Sequence, residues 1–495
     1  MSYTKLAVRG AATVFIVSII AAFLGYLVRL VLARYLTVEE FGLFYAVFAF
    51  LGIFGVYKTL GFDSALIKFI PEFLHGKEYS SIKSSIVYAA VIQLATNTLI
   101  IAGIYLFSDY LSKNFFHSTQ AGIVLKLMVL SVAIDSFVQV IKFTLQGFKK
   151  MIYFAGIDLI RMLLILGIVL AGFKLNYGIL SPLIAYILAP VILTIVFWAV
   201  LIKVIFPEFS KSKFFIDKKL IKDISKYGVF VIATTMGMVI FGYTDIILLT
   251  YFSGLTSVAL YSVALPTARI FLYFPRAIGG ILIPLSAELW AKGEKKLLNA
   301  GIEALYKYSM IVVIPAVFAM FSFSELIISV LFGKDFAPAS SILKILSIGM
   351  MFTAIYGVNI NFFAGIGKPQ INSKIVYSAA IFNLFSNIIL IPAIGVIGAA
   401  ITNTLSYFIM MVMGLANIRK FIKVDFPILI WAKTLIAGMM FILAIWLLKK
   451  ALSLNVWLEA VIVLLIAGLM YTTLLFLLKI IDLNEIKDLK RRIIR

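Results

Sequence analysis

The amino-acid sequence predicts an all-α integral membrane protein with about 14 transmembrane helices. Three observations predict this fold class: the composition, the long apolar segments, and the placement of positive charge between them. Of the 495 residues, 63% are hydrophobic and only 13% are charged. A soluble domain is about half apolar and roughly a quarter charged. This chain has too little polar surface to cover itself in water, and we therefore expect lipid around it.

Fourteen segments are long and apolar enough to cross a bilayer as an α-helix, which takes about 20 residues. The first of them is too long for the apolar region of a secretory signal peptide and is interpreted as a membrane span. The predicted spans are 10–33, 41–66, 84–107, 122–146, 152–173, 179–203, 227–252, 256–284, 304–331, 340–364, 372–391, 395–416, 428–448 and 455–478. None of the connections has room for a folded soluble domain.

The basic residues predict the orientation in the membrane. When the N-terminus is placed in the cytoplasm, 31 of the 44 Lys and Arg residues fall in cytoplasmic segments, the side where such residues accumulate. Both termini are therefore expected to face the cytoplasm. The same placement accounts for the net charge of +22 without a nucleic-acid partner. The basic loop near 205–226 and the C-terminal tail are expected to contact anionic lipid headgroups of the cell membrane.

The chain contains an internal repeat. FGLF at 41–44 resembles VALY at 258–261, and YGI at 177–179 resembles IGV at 394–396, both with the same offset. Because this offset covers six spans, the two halves share one topology, as in transporters whose lobes are related by an axis along the membrane normal. The predicted domains are a first lobe of six helices at 1–204, a basic cytoplasmic linker at 205–226, a second six-helix lobe at 227–425, and two further helices with a basic tail at 426–495.

Several short motifs resemble one family. They are LARYL at 32–36, EFGLF at 40–44, LGFDSALIKFIPE at 60–72, YTD at 243–245, LYSVA at 260–264, AGIGKP at 364–369 and GVIGAA at 395–400. In their order and spacing they resemble the polysaccharide-biosynthesis flippases of the multidrug/oligosaccharidyl-lipid/polysaccharide exporter superfamily. The resemblance implies two lobes around a central cavity, alternating access, and a cargo of oligosaccharide linked to a lipid phosphate or pyrophosphate.

Other functions remain open at this point. Fourteen helices are typical of the polysaccharide and peptidoglycan-precursor flippases, whereas the related multidrug extruders usually have twelve. A cation-coupled multidrug extruder and a peptidoglycan-precursor flippase are the main alternatives. A membrane glycosyltransferase or polymerase is less favoured, because it would need a long outer loop. The sequence contains no catalytic motif, so no enzyme activity is expected.

Four basic residues lie deep inside predicted spans, away from the span ends. An ionisable side chain at membrane depth usually faces a cavity or a partner. Arg269 and Arg276 are two helical turns apart and share a face; Arg161 lies near the middle of span 5, and Lys58 lies in span 2. We predict that they line the cavity, because guanidinium and ammonium groups bind phosphate. For Lys58, extension of the side chain toward the headgroups is an equal alternative. Arg29, near the outer end of span 1, is expected to extend toward the headgroups.

Carboxylates at membrane depth are also few. They are Asp63, Asp135, Asp158 and Asp245. Each is predicted to be either the ion-pair partner of a cation or a site for a coupling Na⁺ or H⁺, since burial raises the pKa of a carboxyl group. Asp158 precedes Arg161 by three residues, so the two share a helix face and a local ion pair is one interpretation.

Three amide side chains are candidate sugar contacts: Gln139, Asn383 and Asn387. Their alternative role is hydrogen bonding between helices. The sequence has no cysteine and only two histidines. We therefore expect no metal site and no cofactor, and the coupling ion stays open.

Overall fold

The structure of the protein is a computed structural model that describes residues 3–55, 60–452 and 455–482. Side chains are described in these ranges apart from those of residues 3–13, 230, 233–234, 273–278 and 280–281. In the described ranges all regular elements are helical, and eleven helices are long and apolar enough to cross a membrane. The predicted fold class, an all-α multi-pass membrane protein, is confirmed. The orientation of its termini stays a prediction.

The chain divides into two compact units, residues 1–262 and 263–495. The first unit contains α1 (Tyr3–Tyr35), α2 (Val38–Ile53), α3 (Phe62–His75), α4 (Tyr79–Asn114), α5 (Ala121–Gly147), α6 (Met151–Lys174), α7 (Leu180–Val200), α8 (Glu208–Lys211) and most of α9 (Lys218–Ala268). The second unit contains the end of α9, a 3₁₀ turn (Arg269–Leu272), α10 (Tyr273–Ala291), α11 (Lys295–Ser322), α12 (Ser324–Leu331), α13 (Ala339–Gly365), α14 (Pro369–Ile418), α15 (Ile428–Ala451) and α16 (Val456–Leu477). The predicted lobe limits stay a prediction.

Two of the long helices supply two predicted spans each. Helix α9 bends at Gly254, which has a φ of 79°, and α14 bends at Gly395, which has a φ of 60°. Left-handed φ values interrupt a helix and suit glycine, which has no Cβ. Spans 7 and 8 are therefore the two arms of α9, the second continuing into α10, and spans 11 and 12 are the two arms of α14.

Predicted spans 2 and 8 are both interrupted in the structure. In span 2, Leu60 and Gly61 have φ values of 46° and 72°, so α3 starts anew after them. The backbone of Gly61 lies so close to Gly228 that an added Cβ would be 2.4 Å from its carbonyl oxygen. Span 8 contains the 3₁₀ turn Arg269–Leu272, which follows Pro266. Hydropathy could not predict these breaks, because the sequence stays apolar through them.

The predicted repeat recurs in the local structure of each unit. Gly178, between α6 and α7, has a φ of 52° and matches Gly395 in α14 at the predicted offset. Gly147 of α5 packs against α3, where an added Cβ would lie 3.0 Å from the Leu66 carbonyl oxygen. Gly365 of α13 packs against α10 in the same way, 2.7 Å from the Ile283 carbonyl oxygen. The two halves thus have a similar close helix crossing, although Gly365 lies one residue beyond the position that the offset assigns to Gly147.

Three prolines inside helices leave a backbone carbonyl without its usual donor. Proline has no N–H, so the carbonyl four residues earlier loses its helical hydrogen bond. At membrane depth another helix must supply the donor. The three replacements are Ser131 Oγ to Tyr186 O at 2.6 Å before Pro190, Arg29 Nη1 to Ser262 O before Pro266, and Tyr471 Oη to Ile311 O at 2.9 Å before Pro315. These bonds connect α5 to α7, α1 to α9 and α16 to α11.

Helices α15 and α16, the two beyond the repeat, are part of the core of the second unit. They pack on each other and on α11. Gly438 of α15 allows the close approach, since an added Cβ would lie 2.5 Å from Ile314 Cγ2 of α11.

The predicted basic linker is shorter than expected and is docked on α4. Residues 218–226 already belong to α9, because the Asp217 carboxylate caps that helix by accepting from the backbone N–H of Lys219 at 2.7 Å. Upstream, Tyr88 Oη of α4 donates to the Phe215 carbonyl at 2.6 Å and accepts from the Asp217 N–H at 2.8 Å. Lys83 donates to a linker carbonyl at 2.9 Å. The linker is therefore attached to the first unit.

Candidate functional site

A cavity of about 260 Å³ lies within the first unit, among α2, α5, α6, α7 and α9. Its lining contains the charged pair Asp135 and Arg161 and the aromatic rings of Phe48, Tyr186 and Tyr243. The other lining residues are Leu51, Gly52, Gly55, Met128, Ser131, Val132, Met162, Ile165 and Pro190. An apolar and aromatic wall with a few polar groups is typical of small-molecule sites.

Backbone features shape this cavity. Pro190 frees the Tyr186 carbonyl for Ser131, so the hydrogen bond between α5 and α7 is formed at the cavity wall. The ring of Tyr243 lies against Gly52, where an added Cβ would be 2.4 Å from Tyr243 Cζ. Gly52 thus lets the Tyr243 ring pack on α2. By contrast, an added Cβ on Gly55 would meet no atom within 4 Å, because Gly55 borders the open space.

The charged pair joins two helices. Arg161 Nη2 lies 2.8 Å from Asp135 Oδ1, and the two side chains are 15% and 18% exposed. Gln139, one turn after Asp135, donates from Nε2 to Asp135 Oδ2 at 3.1 Å. Within the described residues, neither Nε nor Nη2 of Arg161 has an acceptor aligned with its N–H groups. The pair is therefore a charge contact in which these two buried nitrogens lack a well-aligned acceptor, while part of each side chain remains exposed.

Asp158 does not pair with Arg161, so the local ion pair suggested by their spacing is wrong. Asp158 Oδ2 instead contacts Lys142 Nζ of α5 at 2.6 Å. Helices α5 and α6 are antiparallel, and each carries one cation and one carboxylate on the face toward the other. Each cation pairs with the carboxylate of the other helix, so all four charges have a partner. A local pair on α6 would have left Asp135 and Lys142 without these partners. Only the Arg161 pair lines the cavity.

Arg29 was expected to extend toward the headgroups, and this is wrong. Its guanidinium lies over the Tyr45 ring, 4.1 Å from the centroid, and donates to the Ser262 carbonyl. Both partners are neutral, and the described ion pairs do not include Arg29. Tyr45 is preceded by Phe44, whose ring packs on the cavity-lining Tyr186 with 5.5 Å between the centroids. Arg29 is therefore a cation beside the cavity that the sequence reasoning missed. The signal was Pro266, four residues after Ser262, which leaves a carbonyl in need of a donor.

The other predicted cations lie elsewhere or outside the described side chains. Arg269, in the second unit, donates from Nη2 to Tyr407 Oη at 3.1 Å. Lys58 lies in the gap at residues 56–59, and the side chain of Arg276 is among those that are not described. Their predicted roles at a cavity stay predictions.

The remaining carboxylates and amides are held by polar partners. Asp245 is buried and accepts from Tyr261 Oη, and Asp63 accepts from Gln93 Nε2 at 3.4 Å. In the second unit, Asn383 and Asn387 are fully buried; Asn387 Nδ2 donates to Asn383 Oδ1 at 3.0 Å. The part of the chain that the structure describes contains no group of three or more His, Asp or Glu that could hold a metal ion. Of the predicted site residues, the structure brings together Asp135, Gln139 and Arg161.

Comparisons with known proteins bear on the whole chain. The family described as "Polysaccharide biosynthesis protein" matches residues 7–290. An uncharacterised membrane protein of Methanocaldococcus jannaschii, MJ1068, is 33% identical over 100% of both chains. The probable low-salt glycan biosynthesis flippase Agl15 of Haloferax volcanii is 24% identical over 98% of both chains. Among solved structures, the lipid II flippase MurJ in an inward closed conformation has a TM-score of 0.75 at 18% identity, covering 93% of this chain and 97% of that chain. At this identity the likeness concerns the fold.

Proposed function

Because this chain belongs to the polysaccharide biosynthesis protein family, we propose that it is a flippase for an oligosaccharide linked to a lipid phosphate or pyrophosphate. It would move this cargo across the cytoplasmic membrane by alternating access. The family resemblance of the motifs is confirmed by the match over residues 7–290. The cargo and the mechanism are our proposal, and the glycan biosynthesis role given to the Haloferax relative supports it.

The observation that carries the proposal is the position of Arg29. An arginine inside a membrane helix is costly, by as much as about 2.5–3.5 kcal/mol at the centre on insertion scales and less toward the ends, and a carboxylate partner would offset this cost. Arg29 lies inside the first apolar span, yet its described contacts are a carbonyl and an aromatic ring. Its positive charge is therefore not balanced by these contacts. A phosphate would form paired, charge-assisted hydrogen bonds with the guanidinium, which are about twice as strong as neutral ones.

Other cations are proposed to bind further parts of the cargo headgroup. They are Arg161, whose guanidinium opens onto the cavity, together with Arg269, Arg276 and Lys58. Asp63 and Asp245 keep the proposed role of coupling carboxylates or ion-pair partners, and the coupling ion stays open. Asn383 and Asn387 keep a proposed role as sugar contacts, although their mutual hydrogen bond also fits a purely structural function.

The alternative of a cation-coupled multidrug extruder is less well supported. An organic cation would need an anionic group in its site. Asp135 lines the cavity, but its carboxylate is in contact with the guanidinium of Arg161. A peptidoglycan-precursor flippase would use the same phosphate chemistry, so only the cargo distinguishes it from the main proposal.

We also propose that anionic lipids are partners of the linker. Phe214 and Ile216 are 46% and 74% exposed, although residues 212–217 are held on α4 by the bonds of Tyr88 and Lys83. Lysine residues flank these exposed side chains on both sides. Apolar residues between basic ones favour the interface of an anionic bilayer.

The function is tested by reconstituting the purified protein in liposomes with a fluorescent lipid-pyrophosphate oligosaccharide. An impermeant reagent then reports how fast the label appears in the other leaflet. We expect exchange that depends on the protein, and no exchange of a lipid with a cationic headgroup. Exchange of a peptidoglycan precursor alone would favour the second flippase. Absence of exchange for every lipid-linked sugar, together with export of an organic cation along an ion gradient, would contradict the proposal.

A further inference from the structure

We propose that the cavity of the first unit is a subsite for one uncharged sugar ring of the cargo. The Asp135–Arg161 pair would bind hydroxyl groups of the ring, and Tyr186 and Tyr243 would cover its apolar face. The inference rests on the proposed function, because it names the part of the cargo that this cavity takes. Phosphate recognition is left to Arg29.

The charge of the cavity favours an uncharged ligand. The two charged groups in the described lining have opposite signs and lie 2.8 Å apart. A phosphate at Arg161 would bring anionic oxygens close to Asp135, and two like charges at about 4 Å repel by roughly 4 kcal/mol at an effective dielectric constant of 20. A sugar hydroxyl has no such cost, since it can accept from the guanidinium and donate to the carboxylate at once.

The hydrogen-bonding capacity of the pair points the same way. Arg161 Nε and Nη2 are buried without an aligned acceptor among the described residues. A buried donor without an acceptor costs about 1–3 kcal/mol. Asp135 Oδ2 already accepts from Gln139, so the carboxylate is fixed in orientation. A ligand rich in hydroxyl groups would form hydrogen bonds with the exposed part of the pair, 15% of Arg161 and 18% of Asp135, without separating the two charges.

The size and walls of the cavity fit one ring. Its volume of about 260 Å³ is slightly below the range of roughly 300–1,000 Å³ typical for drug-sized ligands. It is too small for an oligosaccharide with its phosphates. Phe48, Tyr186 and Tyr243 supply aromatic surface for the C–H face of a sugar. Gly52 keeps the Tyr243 ring in place, because any side chain there would displace it.

The Arg29 guanidinium and the cavity border neighbouring parts of α2. Arg29 lies over the Tyr45 ring, and Phe48, about one turn further along α2, lines the cavity. A phosphate at Arg29 could therefore be joined to a sugar that reaches the Asp135–Arg161 pair. The two guanidinium groups would then bind different parts of one headgroup. Arg29 would bind the anionic linkage, and Arg161 would bind the first sugar.

Two variants of the cavity test the proposal. Gly55→Leu places a side chain in the cavity without a backbone clash and leaves the ion pair intact. Gly167→Leu is its control. An added Cβ at Gly167 also meets no atom within 4 Å, but Gly167 does not line the cavity. Asp135→Asn breaks the cavity pair, and Asp158→Asn breaks the second α5–α6 pair away from the cavity. The probes are a polyprenyl pyrophosphate carrying a neutral hexosamine-containing oligosaccharide and the same lipid without sugar.

The measurement is the equilibrium affinity of the purified full chain for each of the two probes, compared between the wild type and the variants. We expect the wild type to prefer the glycosylated probe, and Gly55→Leu and Asp135→Asn to weaken its binding about tenfold, or 1.4 kcal/mol. Binding of the bare lipid pyrophosphate should change by less than about twofold, which is well below the tenfold loss expected for the glycosylated probe. Gly167→Leu and Asp158→Asn should keep the ratio between the probes at its wild-type value.

Three results would overturn the subsite. They are equal loss of both probes in the cavity variants, an unchanged preference in Gly55→Leu, or a wild type that binds both probes equally. If Asp135→Asn fails to fold, Gly55→Leu still decides, because it retains the ion pair. Failure of the wild type to bind either lipid would instead reject the proposed function itself, so the two failures are distinguishable.

Discussion

Tyr471 supplies a hydrogen bond that Pro315 makes necessary. The proline removes the donor for the Ile311 carbonyl, and Tyr471 Oη replaces it at 2.9 Å from a position that is 4% exposed. Tyr471→Phe keeps the ring and deletes only this bond. An unsatisfied buried acceptor costs about 1–3 kcal/mol in soluble proteins, whereas hydrogen bonds between membrane helices average about 0.6 kcal/mol. We expect Tyr471→Phe to lower the free energy of unfolding by about 1 kcal/mol, between these values.

Pro315→Ala tests the reason for this loss. Alanine restores an N–H at position 315, which can donate to Ile311 within the helix. In that background Tyr471→Phe should cost less than about 0.3 kcal/mol, since partners in one hydrogen-bond network are non-additive. The four proteins are compared by equilibrium unfolding in mixed detergent micelles with increasing dodecyl sulfate, and Tyr110→Phe at an exposed tyrosine is the control. Equal cost of Tyr471→Phe in both backgrounds would refute the reasoning.

Three further predictions follow from contacts of the first unit. Gly42→Ala places a Cβ 2.0 Å from the Leu255 carbonyl oxygen. We therefore expect a large loss of folded protein in size-exclusion chromatography. A normal yield of folded protein would contradict the contact between α2 and α9. Asp217→Ala should cost about 1 kcal/mol at the start of α9 and speed amide hydrogen exchange there, whereas Asp217→Asn should not. Phe214→Trp should be quenched by brominated anionic lipid more than by brominated zwitterionic lipid. No added quenching over the wild type would contradict the lipid contact of the linker.

Helices were predictable from the sequence where hydropathy alone decides them. Apolar runs of about 20 residues give the spans, and the glycine matched by the repeat at position 395 marks the bend of α14. The breaks near Leu60 and in Arg269–Leu272 were not predictable in this way. They depend on left-handed backbone at Leu60 and on proline within an unbroken apolar run, and neither changes the hydropathy of the segment.

The candidate site was only partly predictable. Charge at membrane depth identified Arg161 and Asp135 separately, because such residues are costly unless they have a partner or a cavity. Their pairing depends on which faces of α5 and α6 meet, and sequence spacing suggested Asp158 instead. Arg29 was missed because a position near the end of a span also suits an arginine that extends to the headgroups. Its partner on α9 is distant in the sequence, and only the missing N–H of Pro266 indicates that a donor is needed there.

The central claim is that a guanidinium within the membrane binds the phosphate of the cargo. The most direct test is the rate at which wild type, Arg29→Lys and Arg29→Gln exchange a fluorescent lipid-pyrophosphate oligosaccharide in liposomes. We predict that Arg29→Gln loses at least about tenfold in rate, the equivalent of one charge-assisted contact. Arg29→Lys, which keeps the charge but not the paired donors, should retain an intermediate rate. Exchange by folded Arg29→Gln at the wild-type rate would contradict the account.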